Sequence, residues 1–489
     1  MNNFKRALLL IVASVIFFWM LVTVCPAGEC FSIIVGKEAS ANGYVMLGHN
    51  EDNGPPVAVN HHKVPRKKYK SGDITKLVNG GELPQIEETW AYIWSEIPGE
   101  AFSDAFVNEW GVAIASDKCL SREDKPELTD GGISLMFRRI IAQRAKTARE
   151  GIKVAAELVE RFGYDSSGRS YMICDPDEGW MFCAINGKHW LAERVPDDEV
   201  AVIGNSYTVR IVNPADTNHF MMSPDLIDYA QSRGWYDPEA DSVFDFAAVF
   251  ADSIPKNSSF NLCRQWGGFR FLSAESPRLG YDLPFSIKPD HKITVTDIIK
   301  ILRDHYEDTK VQELQDSATT PHQNKFHTIC NDYTYNSFVV ELRRNMPLDI
   351  GIVYWFCLGN PCSSFYLPFH FGIGDFPVEL FTSSEKPTEA VFNEMIAQES
   401  PAPKEAFWRY LRFANKIQSD YFKYKEPLDS IRGDFEVELM TAKDTVEKQA
   451  MELYESDKIK AKSQLGKFFM KQYIKTFMAM DSILTADNK

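Results

Sequence analysis

The stretch CFSIIVGKEASANGYVMLGHNED, residues 30–52, decides the fold expected for this chain. An apolar run after Cys30 is followed by the turn signal Asn42-Gly43 and by a second apolar run that ends in the polar cluster HNED, residues 49–52. Asn-Gly between two apolar runs is a strong hairpin signal. A hairpin brings the start of its first strand next to the end of its second. Cys30 is therefore expected to lie beside the polar cluster.

The residues that precede this hairpin have the pattern of a secretory signal peptide. Lys5 and Arg6 form a charged start, residues 7–24 are almost wholly apolar, and CPAG, residues 25–28, supplies small residues and a breaker. The apolar run is nearly long enough to span a bilayer. The sequence predicts a signal peptide plus a short propeptide over residues 1–29 and an exported protein, periplasmic or extracellular. A retained membrane anchor is the alternative.

Composition excludes some classes of function. The chain has 489 residues and a formal net charge of −15, so it lacks the basic excess with which a nucleic-acid-binding protein neutralises phosphates. Its nine cysteines include no CxxC, and their spacing resembles no zinc motif. We therefore expect no nucleic-acid partner, no metal and no cofactor. His61-His62 is expected in an exposed loop, and export would permit disulfides.

The order of predicted elements indicates the architecture. Strand patterns dominate residues 30–117, helical spacing follows over residues 133–163, and strand patterns return over residues 170–209 and 335–359. From about residue 384 the chain is charged and periodic, which is typical of helices. This order predicts layered α+β packing and not a doubly wound parallel sheet. We expect one body over residues 30–383, with a helical segment, residues 384–489, packed on it. A contact of that segment in an oligomer stays open.

A cysteine at the head of a mature chain is a distinctive chemical arrangement. A free α-amino group has a pKa of roughly 8 and a thiol one of about 8.5, so a single residue supplies both a nucleophile and a base. This use of Cys30 requires removal of residues 1–29. Signal peptidase would favour a cut after Ala27, which leaves Gly28-Glu29. We expect a second cleavage, for which attack by Cys30 on the preceding carbonyl is one hypothesis.

The chain resembles the dipeptidase A-type cysteine peptidases, members of the N-terminal-nucleophile hydrolases. The resemblance begins with residues 30–52 and extends to about Gly374. It is carried by eight further blocks in the order of that family: PQIEETWAYIW, VNEWGVAIASD, RAKTAREGIKVAAELVERFGY, ICDPDEGWMF, HWLAERVPDDEVAVIGNSY, SPDLIDYA, RQWGGFRFL and LRDHYEDT. The resemblance implies a four-layer αββα fold and hydrolysis of dipeptides through a thioester, without a metal.

Site residues follow from the resemblance position by position. Cys30 matches the nucleophile, Asp52 the acidic residue that holds the N-terminal amine, and Asn205 the side chain that donates to the oxyanion. A backbone N–H near Asp117-Lys118 is expected to be the second oxyanion donor.

Three further residues are expected to support the site. Arg264 and Asn50 are candidate supporting residues. His49 stands where relatives often carry arginine, so it would support a thiolate only when protonated.

Two alternatives remain open at this stage. Substrate pockets change on a shared fold, so an acyl-amide hydrolase of the choloylglycine or penicillin acylase type is one alternative. The other is a membrane-anchored binding protein without activity, in which Cys30 is never released. The state of the N-terminus separates the enzyme from the anchored protein. The expected substrate is a small peptide, and the expected membrane contact is limited to an uncleaved N-terminal segment.

Overall fold

The structure, a computed structural model, describes residues 30–53, 57–100, 102–253, 258–275, 277–280, 282–397 and 404–486. The predicted signal peptide and propeptide, residues 1–29, lie outside these ranges. Within the described ranges, no helix combines the length and the apolar character needed to cross a bilayer.

The strands form two large antiparallel sheets and two small ones. Strands β1 to β19 have the bounds Phe31–Val35, Val45–Asp52, Asn60–Val64, Lys67–Lys68, Ile74–Lys76, Glu82–Pro84, Glu88–Thr89, Tyr92–Glu96, Ser103–Asn108, Ala113–Lys118, Arg169–Cys174, Gly179–Ala184, Trp190–Val195, Val200–Ile203, Phe220–Met222, Ser286–Ile287, Thr334–Leu342, Ile352–Leu358 and Leu367–His370. Sheet I has the order β16-β14-β1-β2-β17-β18-β19, and sheet II has the order β15-β13-β12-β11-β10-β9-β8-β3. Strands β4 and β7 pair, as do β5 and β6.

The helices flank these sheets. Helices α1 to α11 have the bounds Phe137–Arg144, Ala148–Phe162, Leu226–Ser232, Phe246–Phe250, Ser259–Phe269, Val295–Leu302, Leu348–Gly351, Glu389–Ala397, Ala406–Gln418, Tyr421–Tyr454 and Lys458–Ala486. Two 3-10 helices have the bounds Pro361–Ser363 and Val378–Leu380.

The first hairpin is present with the expected geometry. Strands β1 and β2 are antiparallel, and Phe31 lies opposite Asn50, which brings Cys30 next to the end of β2. The connection between the strands is longer than a two-residue turn, and Gly43 adopts a φ of 73° within it. Glycine adopts this left-handed conformation without a steric penalty. The predicted proximity of Cys30 to the polar cluster is confirmed.

Alternation along β1 shows how the layers are stacked. A Cβ atom added to Gly48 would lie 2.5 Å from Ile298 of α6 and 2.8 Å from Ile33, so Ile33 faces the helices. A Cβ atom added to Gly179 of sheet II would lie 2.5 Å from Ile34, so Ile34 faces the second sheet. Successive side chains of a strand point to opposite faces. Sheet I is therefore packed between a helical layer and sheet II.

The remaining contacts complete the sandwich. Helix α5 packs on β14 and helix α6 on β2 and β17, whereas α1 and α2 pack on the other side of sheet II. Helix α2 begins at the N-cap Thr147, whose side chain accepts from the backbone N–H of Glu150. Helix α6 begins with a capping box between Thr294 and Asp297. The expected α+β fold with αββα layers is confirmed.

The predicted helical segment from residue 384 comprises α8 to α11. Helix α10 is joined to sheet I by buried charges: the guanidinium of Arg343 donates to both carboxylate oxygens of Glu447 at 2.7 Å. Lys443 lies 3.2 Å from Glu341, and His370 lies 2.7 Å from Glu447. Helix α11 contacts β19, and α9 contacts β18. The segment therefore covers one end of sheet I.

The expectation of an exposed loop at His61-His62 is wrong. Both residues belong to β3 at the edge of sheet II, and His61 is only 2% exposed. The His61 ring packs against Tyr354, Phe356 and Phe376. The polar pattern of this segment hid the strand, because aromatic residues nearly 300 positions later bury it.

Candidate active site

Cys30 lies immediately before β1 and is 3% exposed. Its sulfur, a ring nitrogen of His49 and a carboxylate oxygen of Glu51 all lie within 4.8 Å of one another. Burial raises the pKa of the Cys30 thiol well above its usual value, and the negative charges of Glu51, Asp117 and Asp52 raise it further. In the full-length chain this thiol is held as a thiol and not as a thiolate.

His49 joins a chain of hydrogen bonds beside the thiol. Ser32 donates its hydroxyl proton to Asp117 at 2.5 Å and lies 2.6 Å from Nδ1 of His49, so Ser32 accepts a hydrogen bond from that nitrogen. Nε2 of His49 lies 2.9 Å from Glu51. Although burial opposes a charge on Glu51, the His49 hydrogen bond and nearby arginines hold its pKa below the usual value. An ionised Glu51 accepts a hydrogen bond from Nε2 of His49.

This arrangement also bears on metal binding at Cys30. A thiol, an imidazole and a carboxylate within 4.8 Å are metal ligands by type. However, both ring nitrogens of His49 already take part in hydrogen bonds, one with Ser32 and one with Glu51. The site therefore suits proton transfer and charge stabilisation better than metal ligation.

Asp52 lies at the end of β2 and is 1% exposed. Its two oxygens accept hydrogen bonds at 2.5 Å, one from the Asn331 amide and one from the Thr334 hydroxyl. Burial raises the pKa of Asp52, whereas these two hydrogen bonds and the charge of Arg264 act in the opposite direction. Asp52 is thus a buried carboxyl group whose charge acts on Cys30, and its role in holding the N-terminal amine stays a prediction.

Asn205 follows β14 and adopts the left-handed conformation, with a φ of 61°. Asparagine tolerates this conformation better than most residues. Its Nδ2 donates to the carbonyl of Lys118 at 3.0 Å, and among the described residues its Oδ1 has no hydrogen-bond partner. One amide N–H orients the side chain, so the second remains able to donate to a substrate oxygen.

Arg264 connects the predicted nucleophile to Asn205. Its Nη1 donates to the carbonyl oxygen of Cys30 at 3.0 Å, and its Nη2 donates to Oδ1 of Asn261 at 2.8 Å. Asn261 in turn donates to the backbone carbonyl of Asn205 at 3.0 Å. Arg264 is fully buried. Arg264, which the sequence offered only as a candidate supporting residue, is therefore in direct contact with Cys30.

Asn50 occupies the opposite face of β2 from His49. Its amide donates to the carbonyls of Leu302 and Ile329 at 2.9 and 2.8 Å, and its Oδ1 accepts from Ser337 at 2.5 Å. These contacts tie β2 to the end of α6 and to the segment before β17. Asn50 is thus an anchor of the strand, and its side chain does not join the hydrogen bonds around the thiol.

The side chains of several site residues escaped the sequence reasoning, which had considered only a backbone N–H near Asp117. Ser32 follows Cys30 by two positions and therefore shares its face of β1. Asp117, Arg138 and Arg169 belong to sheet II and its helices, and both arginines donate to the hydroxyl of Ser116. The charge of Arg169 lowers the Cys30 pKa against the effect of burial. No signal in the sequence indicates which strands of sheet II pack against β1. The side chains of Asp117, Arg138 and Arg169 could therefore be identified only from the tertiary structure.

Comparisons with known proteins identify the family of the chain. The model of peptidase family C69 matches residues 29–395. A probable dipeptidase of Latilactobacillus sakei is 25% identical, covering 81% of this chain and 82% of that protein. Dipeptidase A of Lactobacillus helveticus is 23% identical, covering 76% of this chain and 81% of that protein.

A crystal structure of a mutant conjugated bile acid hydrolase from Clostridium perfringens aligns at 13% identity with a TM-score of 0.32. The alignment covers 70% of this chain and 96% of the hydrolase chain. A likeness of this degree adds nothing to the fold described above. The family match extends over most of the chain and begins at the residue before Cys30. The predicted family is thereby confirmed: the chain belongs to peptidase family C69.

Proposed function

We propose that this chain is the precursor of an exported dipeptidase in which Cys30 becomes the nucleophile once residues 1–29 have been removed. One observation carries the proposal. Cys30 heads a central strand of the sandwich, its carbonyl is held by the buried Arg264, and its sulfur lies beside His49 and Glu51. Membership of a peptidase family and relatives named dipeptidases support the substrate class.

Release of the α-amine of Cys30 changes the chemistry of the site. The full-length chain keeps this nitrogen in a peptide bond, and burial with three nearby carboxylates raises the thiol pKa. A free amine with a pKa of about 8 supplies a base within the same residue and, when protonated, a cation beside the thiol. Asp52 would hold this ammonium group through its carboxylate. Maturation would thus convert an inert buried thiol into a nucleophile.

The proposed reaction has two steps, formation of a thioester and its hydrolysis. The sulfur of Cys30 attacks the peptide carbonyl and forms an S–C bond, and its proton passes through the α-amine to the leaving nitrogen as the C–N bond breaks. The second amide N–H of Asn205 donates to the oxyanion, a contribution typically worth about 3 kcal/mol in the transition state. Water then adds to the thioester carbonyl, which releases the N-terminal amino acid of the dipeptide and returns a proton to sulfur.

Intact mass and N-terminal sequence of the protein from an exported fraction test the maturation step. We expect a chain that starts at Cys30 and hydrolyses dipeptides. Cys30→Ala should abolish hydrolysis, whereas Cys174→Ala should retain it, because Cys174 is an equally buried cysteine on β11 of sheet II. A mature chain that starts elsewhere, or a Cys30→Ala chain with full activity, would disprove the proposal.

Single-turnover experiments test the acyl-enzyme. Cys30→Ser on the matured chain should slow hydrolysis and stabilise the intermediate as an ester, which is visible as a mass increase equal to the acyl group. Asn205→Ala should lower kcat about 100- to 1000-fold with a smaller effect on KM, because an oxyanion donor acts mainly in the transition state. An unchanged kcat in Asn205→Ala would remove this residue from the mechanism.

A further inference from the structure

Four potential metal ligands meet outside the candidate active site. His305, His322, Cys330 and Cys362 each place a ligand atom within 4.8 Å of all the others. They come from the connection between α6 and β17 and from the 3-10 helix that follows β18. We propose that these four side chains bind one structural Zn²⁺ ion, with two thiolates and two imidazoles as its ligands.

The interatomic distances fit a single tetrahedral centre. Nε2 of His322 lies 3.6 Å from the sulfur of Cys330 and 3.4 Å from the sulfur of Cys362. Zinc bonds of about 2.3 Å to sulfur and about 2.0 Å to nitrogen, at tetrahedral angles, separate the two ligand atoms by roughly 3.6 Å. The atoms therefore already stand at the spacing that a zinc ion imposes.

Both imidazoles are oriented as metal ligands usually are. Nδ1 of His305 lies 2.7 Å from Glu307, and Nδ1 of His322 lies 2.7 Å from Asp332. A carboxylate on one ring nitrogen fixes the tautomer that offers the other nitrogen to a metal. Nε2 of His305 is buried and makes no hydrogen bond of good geometry within the described part of the chain. A zinc ion would satisfy this nitrogen.

The ligand types select zinc. Two thiolates with two imidazoles in tetrahedral geometry are typical of structural zinc sites. In a Rieske-type [2Fe–2S] centre the cysteines and histidines bind different irons. Here His322 approaches both sulfurs equally, which indicates one metal ion. Gln418 of α9 donates to the sulfur of Cys362 at 3.1 Å, a contact that suits a metal-bound thiolate.

The position of the cluster gives the ion a structural role. Cys330 lies between Ile329, whose carbonyl accepts from Asn50, and Asn331, whose amide donates to Asp52. The connection from α6 to β17 has little regular structure of its own, so its path depends on such contacts. A zinc ion on Cys330 would fasten the segment that holds Asp52 in place. Its ligands are separate from Cys30, so the zinc site does not depend on the proposed dipeptidase activity.

The proposal revises the expectation of no metal, which rested on spacing along the chain. The ligands are separated by 16, 7 and 31 residues, and no motif joins them. The 3-10 helix that contains Cys362 lies close to Cys330 because β17 pairs with β18. A disulfide between Cys330 and Cys362 is the competing state of these thiols, because export would expose them to oxidation.

Metal analysis of the purified full-length chain tests the site. We expect about one zinc ion per chain by mass spectrometry and less than about a tenth of this in Cys362→Ala, since structural zinc sites need all four ligands. Asp332→Asn, at a side chain that is 62% exposed, should fold normally and weaken zinc binding about 10- to 100-fold. Cys174→Ala and Cys30→Ala should keep their zinc, because neither residue belongs to the cluster.

Cobalt substitution tests the ligand set without any variant. Wild-type protein stripped of metal under reducing conditions and titrated with Co²⁺ should show the intense visible bands of tetrahedral cobalt with sulfur ligands. Absence of these bands and of zinc would overturn the proposal, as would iron or copper in place of zinc. A mass that shows Cys330 and Cys362 joined as a disulfide in freshly isolated protein would also overturn it.

Discussion

Replacing Arg264 should disturb stability and catalysis together. Arg264 is fully buried, and it donates to the carbonyl of Cys30 at 3.0 Å and to Asn261 at 2.8 Å. Arg264→Met removes the charge-assisted hydrogen bonds that these two buried acceptors receive. Each unsatisfied acceptor costs about 1–3 kcal/mol, so we expect the free energy of unfolding to fall by about 2–6 kcal/mol.

The effect on catalysis has a separate origin. Loss of the contact with Cys30 frees the carbonyl beside the nucleophile, and a displacement near 1 Å typically lowers kcat about 100-fold. Arg264 also lowers the pKa of Asp52 and of Asp117 through its charge. Its removal should therefore shift the acid limb of the activity profile to higher pH. Arg264→Lys keeps the charge without the planar fork, so it should restore the pH profile but only part of kcat.

Urea unfolding and a pH series of kcat on the matured chain measure both effects. Arg344→Met is the matched control, because Arg344 forms an exposed ion pair with Asp177 and its loss should cost no more than about 0.5 kcal/mol. The reasoning is refuted if Arg264→Met keeps the wild-type free energy of unfolding and a kcat within a factor of about two.

Three other predictions concern stability, each measured by urea unfolding. Glu447→Ala should cost about 3–5 kcal/mol because it removes the buried carboxylate that pairs closely with both Arg343 and Lys443. The exposed Glu438→Ala on the same helix should cause no measurable change, and equal effects would contradict the buried network. The free energy of unfolding of Asp117→Asn should rise by about 3 kcal/mol relative to wild type between pH 4 and pH 7. Burial raises the pKa of Asp117 to about 6, so the folded wild-type chain loses stability as this carboxyl ionises. A pH-independent difference would contradict that pKa. Gly48→Ala should cost about 1–3 kcal/mol of unfolding free energy, because its methyl group would lie 2.5 Å from Ile298. Gly374→Ala, whose methyl group would meet nothing within 4 Å, should cost nothing measurable. Unchanged stability of Gly48→Ala would show that α6 can shift without cost.

Local sequence signals identified the central hairpin and its chemistry. The apolar runs after Cys30, the Asn42-Gly43 turn and the polar residues that follow are contiguous in the chain, so their pairing needs no long-range information. Ser32 was not predicted, although alternation along the strand puts it on the same face as Cys30. The blocks around Asn205 and Arg264 could be assigned through resemblance to a family, although nothing local showed that they would meet.

The tertiary structure decided which residues of other elements face the thiol. Asp117 and Arg169 reach Cys30 because sheet II packs over sheet I, and the order in which two sheets stack leaves no trace in periodicity. Burial also sets the protonation of the thiol, since its pKa depends mainly on desolvation and not on its neighbours in the chain.

The sequence by itself determined the hairpin, the mixed α+β class and the family, because these depend on contiguous patterns. Only the tertiary structure brought His305, His322, Cys330 and Cys362 together, although they are spread over 58 positions. Ligand convergence depends on strand pairing and helix packing across long separations, and a chain read in order carries no direct signal of either. The candidate residues around Cys30 that lie in contiguous motifs were visible in the sequence, whereas the four potential metal ligands could be recognised as a group only from the fold.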